Sequence, residues 1–150
     1  MGCENHDDLS MADRFMKQVE TESYNEMFLP DLKPSDISIL LKYRNNQKVL
    51  NKFPANPVSS FICDSVTVGA VALSTIESIR LSELFDAENE FNNFPSNPCL
   101  IDTSNQVKYR FAILDTVAIL YYNWWINSNL TDIEKININP LFGTTYRWNY

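Results

Sequence analysis

Phe111-Ala-Ile-Leu-Asp-Thr-Val-Ala-Ile-Leu-Tyr-Tyr-Asn-Trp-Trp-Ile126 is the stretch whose reading decides the fold, because only Asp115, Thr116 and Asn123 within it are clearly polar. A helix apolar on nearly every side is enclosed by neighbours rather than laid on a surface, so the rest of the chain is expected to wrap around it. Phe111, Leu114, Ala118, Tyr121 and Trp125 recur at helical spacing, and Ile113, Val117, Leu120 and Trp124 form a second stripe beside them. Thr103 and Gln106 fit a capping box, which sets the expected start of the helix, and Asn127, Ser128 and Asn129 mark its end. A membrane span would need about 20 apolar residues, and this run is shorter and carries an acid.

Upstream, Ser10 to Phe28 reads as a helix with Ala12, Phe15, Met16 and Val19 on one side. Pro30 and Pro34 close a connector, after which Ser35 or Asp36 caps a second helix facing in through Ile37, Leu40 and Leu41. Ser65 to Asn89 reads as a third helix. Its first half, Val66 to Leu73, also suits a strand, and length decides for helix. Gly69, Ala70 and Ala72 would let another helix, expected to be the aromatic one, approach closely there. Downstream, Thr131 and Glu134 form a second capping box for a short helix ending near Asn137.

The sequence also repeats itself. Asn51-Lys-Phe-Pro-Ala-Asn-Pro57 returns as Asn92-Asn-Phe-Pro-Ser-Asn-Pro98. Proline drives the residue before it out of the helical region, so both copies are expected to stop helices. The resulting fold class is all-α: a single compact domain of four to five helices packed around residues 103–127. Residues 1–8 form a flexible terminus, 9–140 the helical domain and 141–150 an aromatic C-terminal arm.

A net charge of -7 with only 12 Lys and Arg residues argues against nucleic acid as a direct ligand and favours a basic or neutral protein partner. Glu77, Glu83, Asp86, Glu88 and Glu90 concentrate acid locally and read as a solvated helix face. Cys3, Cys63 and Cys99 match no metal or redox spacing, and the first thirty residues contain no apolar run of signal-peptide type. The chain is therefore expected to be intracellular and cytoplasmic, with reduced thiols.

No catalytic centre, metal or cofactor is expected. His6, the one histidine, lies in the terminus, so a nucleophile lacks a base, and no Gly-rich phosphate loop exists. Asp115 sits in apolar company and, if buried, would need Arg80 or Arg44 as a partner. The terminal arm carries Phe142, Tyr146, Arg147, Trp148 and Tyr150, the residue types of interface anchors.

These features predict a non-enzymatic assembly or adaptor subunit that binds a protein partner or itself through the C-terminal arm. Seventeen asparagines against three glycines is a bias of AT-rich genomes, many viral ones included, so a viral particle is one expected setting. Two other roles compete. One is an acidic inhibitor that uses Glu83, Asp86, Glu88 and Glu90 to occupy a basic nucleic-acid-binding surface of another protein. The other is a peripheral membrane adaptor acylated at Gly2 and Cys3.

Overall fold

The computed structural model describes residues 9–58, 63–85, 95–104, 107–108 and 111–149. Among the described residues five α-helices run in chain order: α1 (Met11–Glu20), α2 (Ile37–Leu40), α3 (Val68–Leu84), α4 (Phe111–Trp125) and α5 (Asp132–Ile136). Between them lie β1 (Val49–Leu50), β2 (Val66–Thr67), β3 (Asn97–Asp102), β4 (Val107–Lys108) and β5 (Tyr146–Asn149). β1 and β2 pair antiparallel. A second antiparallel sheet has the order β4-β3-β5.

The all-α expectation is therefore overturned: the fold is mixed, with helices packed on two small antiparallel sheets. Its error lies mainly at residues 97–108. Thr103 does not cap a helix. Its N–H and its hydroxyl both donate to the Thr145 carbonyl, at 2.8 and 2.9 Å, continuing the pairing of β3 with β5. Asp102 then accepts from the backbone and hydroxyl of Ser104, an Asx turn of the kind that competes with helix initiation. Gln106, the other half of the supposed capping box, lies outside the described residues.

The first copy of the repeated motif is not a helix stop either, and Asn92 to Phe94 of the second lie outside the described residues. The first copy follows β1, and the end of the second enters β3. β3 lies between β4 and β5, where a proline would break the ladder. Register with β5 slips between Asn97 and Leu100, and Pro98 sits in that irregularity.

α3, not the aromatic α4, is the helix the others surround. Thirteen of its seventeen residues are buried, and it packs against α1, α2, α4, α5 and β3. It starts where Thr67 accepts a hydrogen bond from the Ala70 N–H. Val68 and Gly69 donate to the carbonyls of Lys48 and Asn46, both at 2.9 Å. The close approach expected at Gly69 exists, but it is to the loop at Arg44 rather than to α4. On α4 the described members of both predicted stripes turn inward, with Leu114, Val117, Ala118, Tyr121, Trp124 and Trp125 buried and Ile113 and Leu120 half-buried. Ile119, Tyr122 and Ile126 remain exposed, so α4 is covered on two sides only.

The sheets and α3 are tied covalently as well. A disulfide joins Cys63, just before β2, to Cys99 in β3, with Cα atoms 6.3 Å apart and a sequence separation of 36. Closing a loop of that size removes unfolded-state entropy worth about 4 kcal/mol in the chain-entropy account.

Gly69→Ala tests the packing at the start of α3. A methyl there would lie 2.5 Å from the Arg44 carbonyl oxygen, backbone that cannot swing aside. The substitution is expected to cost about 1–3 kcal/mol in urea unfolding. An unchanged midpoint would mean the loop does not press on the helix.

Candidate functional site

Glu77 and Arg80 lie one turn apart on α3, and both are buried. The guanidinium forks onto the carboxylate, with Nε donating to Oε2 at 2.9 Å and Nη2 to Oε1 at 2.6 Å. Tyr121 on α4 donates its hydroxyl to Glu77 Oε2 at 2.8 Å. Trp148 on β5 donates its indole N–H to the Tyr121 oxygen, also at 2.8 Å. Arg80 Nη1 donates to the carbonyl of Ile136, the last residue of α5, at 3.3 Å. This clasp joins α3, α4 and α5 through charge-assisted bonds and adds β5 through the neutral bond from Trp148 to Tyr121. Taking two charges out of water costs several kcal/mol per ion, which only such complete pairing offsets. Glu77, expected on a solvated acidic face, is 1% exposed.

The clasp fixes α5 beside the end of α3. Trp124 adds a bond from its indole N–H to the Lys135 carbonyl at 2.8 Å, and the Lys135 ammonium lies 4.8 Å from the Trp125 ring centre. The capping box predicted for α5 is present, with Glu134 accepting from the Thr131 N–H at 2.7 Å. That backbone bond first, and the Thr131 hydroxyl second, hold the Glu134 carboxyl below its ordinary 4.5.

Between the two helices runs a groove of about 160 Å³, lined by Pro34, Glu83, Leu84, Asp132, Ile133, Ile136 and Asn137. Its lining is apolar and open: Ile133 is 78% exposed, and neighbouring Phe85 is 66% exposed. Its rim is acidic. Glu83 is exposed and accepts no hydrogen bond from a described residue, while Asp132 reaches only Lys135, at 3.5 Å, with its own side chain 65% exposed. The nearby Lys33 does not neutralise the rim, because its ammonium is bound to Asp31 at 2.6 Å. That bond, with a smaller pull from Glu83, raises the Lys33 pKa.

The predicted site residues are scattered. Glu83 stands at the groove; Asp86, Glu88 and Glu90 lie outside the described residues. In the C-terminal arm, Trp148 is fully buried and Tyr146 half-buried, whereas Arg147, one position between them, faces out as strand alternation requires. Phe142, in the turn before β5, is 87% exposed. Tyr150 lies outside the described residues, as do Gly2, Cys3 and His6. Asp115 is exposed and needs no buried cation. Arg80 is held by Glu77. Arg44 donates to the Leu41 carbonyl at 2.7 Å and stacks 4.2 Å above the Tyr122 ring centre.

Sequence reasoning missed Asp132, Ile133 and Ile136. The signal was available, since the capping box at Thr131 puts Asp132 in the first turn and spaces the two isoleucines by three. A second hollow, about 270 Å³ between α1 and the following loop, is lined by Met11, Arg14, Phe15, Gln18, Tyr24, Pro30 and Asp31. It presents both charge signs, and the Tyr24 hydroxyl is used on the Phe28 carbonyl; burial pushes that phenol up to about 12. Among the described residues no three His, Cys, Asp or Glu side chains converge as metal ligands, and no helix is long and apolar enough to cross a membrane.

A family model described as a domain of unknown function, DUF4943, matches residues 6–149. No curated protein and no solved structure matches the chain.

Two outcomes test this geometry. Arg80→Met should lower stability by about 3–5 kcal/mol, because it strands a buried carboxylate; a loss under 1 kcal/mol in chemical unfolding would refute the clasp. The depressed Glu134 pKa supports the folded state above pH 4.5 and is lost as pH falls below 4.5 through the lowered value. Amide protection in α5, taken relative to the intrinsic exchange rate at each pH, should fall over that window in the native protein but not in Glu134→Gln.

Proposed function

We propose, for a chain that belongs to the DUF4943 family, a non-enzymatic role as an assembly or adaptor subunit that grips a segment of a partner protein in the groove between α3 and α5. One observation carries this reading: an open apolar floor, with Leu84 and Ile133 in contact with solvent, beside two acids, Glu83 and Asp132. An apolar lining supplies affinity without selecting chemistry, and charges at its rim select the partner and steer its approach. The fitting partner is a short segment with Lys or Arg next to aliphatic side chains. The acidic-inhibitor role draws on the same face through Glu83 and is contained in this reading, with the partner's basic surface as the ligand. Self-association has separate support in Phe142, whose ring stands in solvent on the turn leading to β5. The cytoplasmic location expected from the sequence requires reduced thiols, and the Cys63–Cys99 bond weighs against it.

Two synthetic peptides of equal length, one combining Leu with Lys and one combining Leu with Glu, separate the outcomes. The lysine peptide should bind, shift the methyl resonances of Leu84, Ile133 and Ile136, and weaken as salt is raised. Glu83→Lys with Asp132→Lys should reduce that binding at least roughly tenfold, as two rim pairs of about 0.2–1 kcal/mol each turn repulsive. Equal affinity for both peptides, or resonance shifts confined to another face, would overturn the assignment.

A further inference from the structure

No motif or spacing pairs any two of the three cysteines, yet the fold brings Cys63 and Cys99 together across a sequence separation of 36. Cys63 lies three residues before β2, and Cys99 is the third residue of β3, so the bond links the two sheets to each other. The ring of chain it closes contains the whole of α3 and therefore both members of the Glu77–Arg80 pair. β3 in turn carries β5 and its Trp148. A single cross-link thus fastens the central helix, both sheets and the strand that completes the clasp.

We infer that this protein matures and works in an oxidising compartment, outside the reducing cytoplasm, and that the Cys63–Cys99 bond is a permanent part of its working form. Disulfides persist where the surroundings are oxidising and are removed by thiols where they are not. Burial decides how the bond forms. Cys63 is half-buried and reaches solvent, whereas Cys99 is fully buried. Exchange therefore enters at Cys63. Its thiolate attacks one sulfur of a disulfide-carrying oxidant, giving a mixed disulfide and releasing one oxidant thiol. The Cys99 thiolate then attacks the Cys63 sulfur and releases the second. The two protein thiols lose two protons and two electrons, and the oxidant's disulfide becomes two thiols. In the reverse direction a small thiol reaches only the Cys63 sulfur, because the fold shields Cys99. The bond joins structural elements that are themselves buried, which marks it as a fastening rather than a reactive redox centre.

The test compares the full chain exported through an oxidising compartment of an expression host with the same chain reduced by dithiothreitol. Unfolded in excess N-ethylmaleimide without reductant, the exported protein should gain the mass of one label, on Cys3; Cys3→Ser should gain none. Three labels on the exported protein, or a bond that uses Cys3, would overturn the inference. The reduced chain should unfold at a urea midpoint lower by about 1–3 M, the loop-closure effect divided by a usual denaturant slope. Equal midpoints for the two forms would also overturn it, since a chain indifferent to reduction has no need of an oxidising compartment. Peptide binding in the groove is read separately, so failure of either idea leaves the other standing.

Discussion

One buried ion pair sets the positions of most other parts. Glu77 and Arg80 sit on the same helix, and each is shielded from water, so neither can be satisfied by solvent. Each reaches out to a neighbour instead: Glu77 accepts from Tyr121, and Arg80 donates to the Ile136 carbonyl. Because an unpaired charge in the interior is so unfavourable, the helices that supply these partners have little freedom to slide or rotate. Apolar packing alone would tolerate several arrangements of α4 and α5 around α3. The polar contacts admit one. Trp148 extends the same constraint to β5, which is why a terminal arm rich in aromatics docks on its own body.

The inward stripes of α4, the capping box of α5 and the apolar face of α1 were legible in the sequence, because each is a local pattern with local causes. The central role of α3 was not. Ser74, Thr75, Glu77, Ser78 and Arg80 make it look half-polar, and polar residues at helical spacing ordinarily mean a wet face. Here their groups are satisfied within the fold: Ser74 and Thr75 donate to the Val71 carbonyl, and Ser78 donates to Ser74 and meets Ser96. A hydroxyl bonded to its own helix can be buried at small cost, and hydropathy cannot register that. The aromatic helix misled in the opposite sense, since its composition suggested enclosure on every side and one side is open.

The sheets escaped for a different reason. β1, β2 and β4 are two residues each, too short for alternation to emerge. β3 contains a proline, which ordinarily argues against a strand between two others. What holds β3 in place is pairing with β5, 48 residues further on at the Leu100–Trp148 register, and fastening to Cys63. Both contacts are non-local, and nothing in either segment alone announces them. The groove was half visible for the same reason. Glu83 belonged to an acidic run that could be seen, while Asp132 and Ile133 came from a distant helix whose placement depends on the buried pair.

The same constraint bears on how the groove could act. Its two walls are the end of α3 and the short α5. Five residues form too few helical bonds to be stable alone in water, so α5 owes its order to neighbours. Arg80 and Trp124 hold its carbonyl end from inside, and the Thr131–Glu134 box holds its amide end from outside. With both ends tied, α5 is fixed before any ligand arrives. A binding surface ordered in advance spends less of its interaction energy on ordering itself, and a small groove has little energy to spare. The buried pair and the exposed groove are therefore two faces of one arrangement: charges satisfied inside the protein make rigid the apolar surface it offers outside.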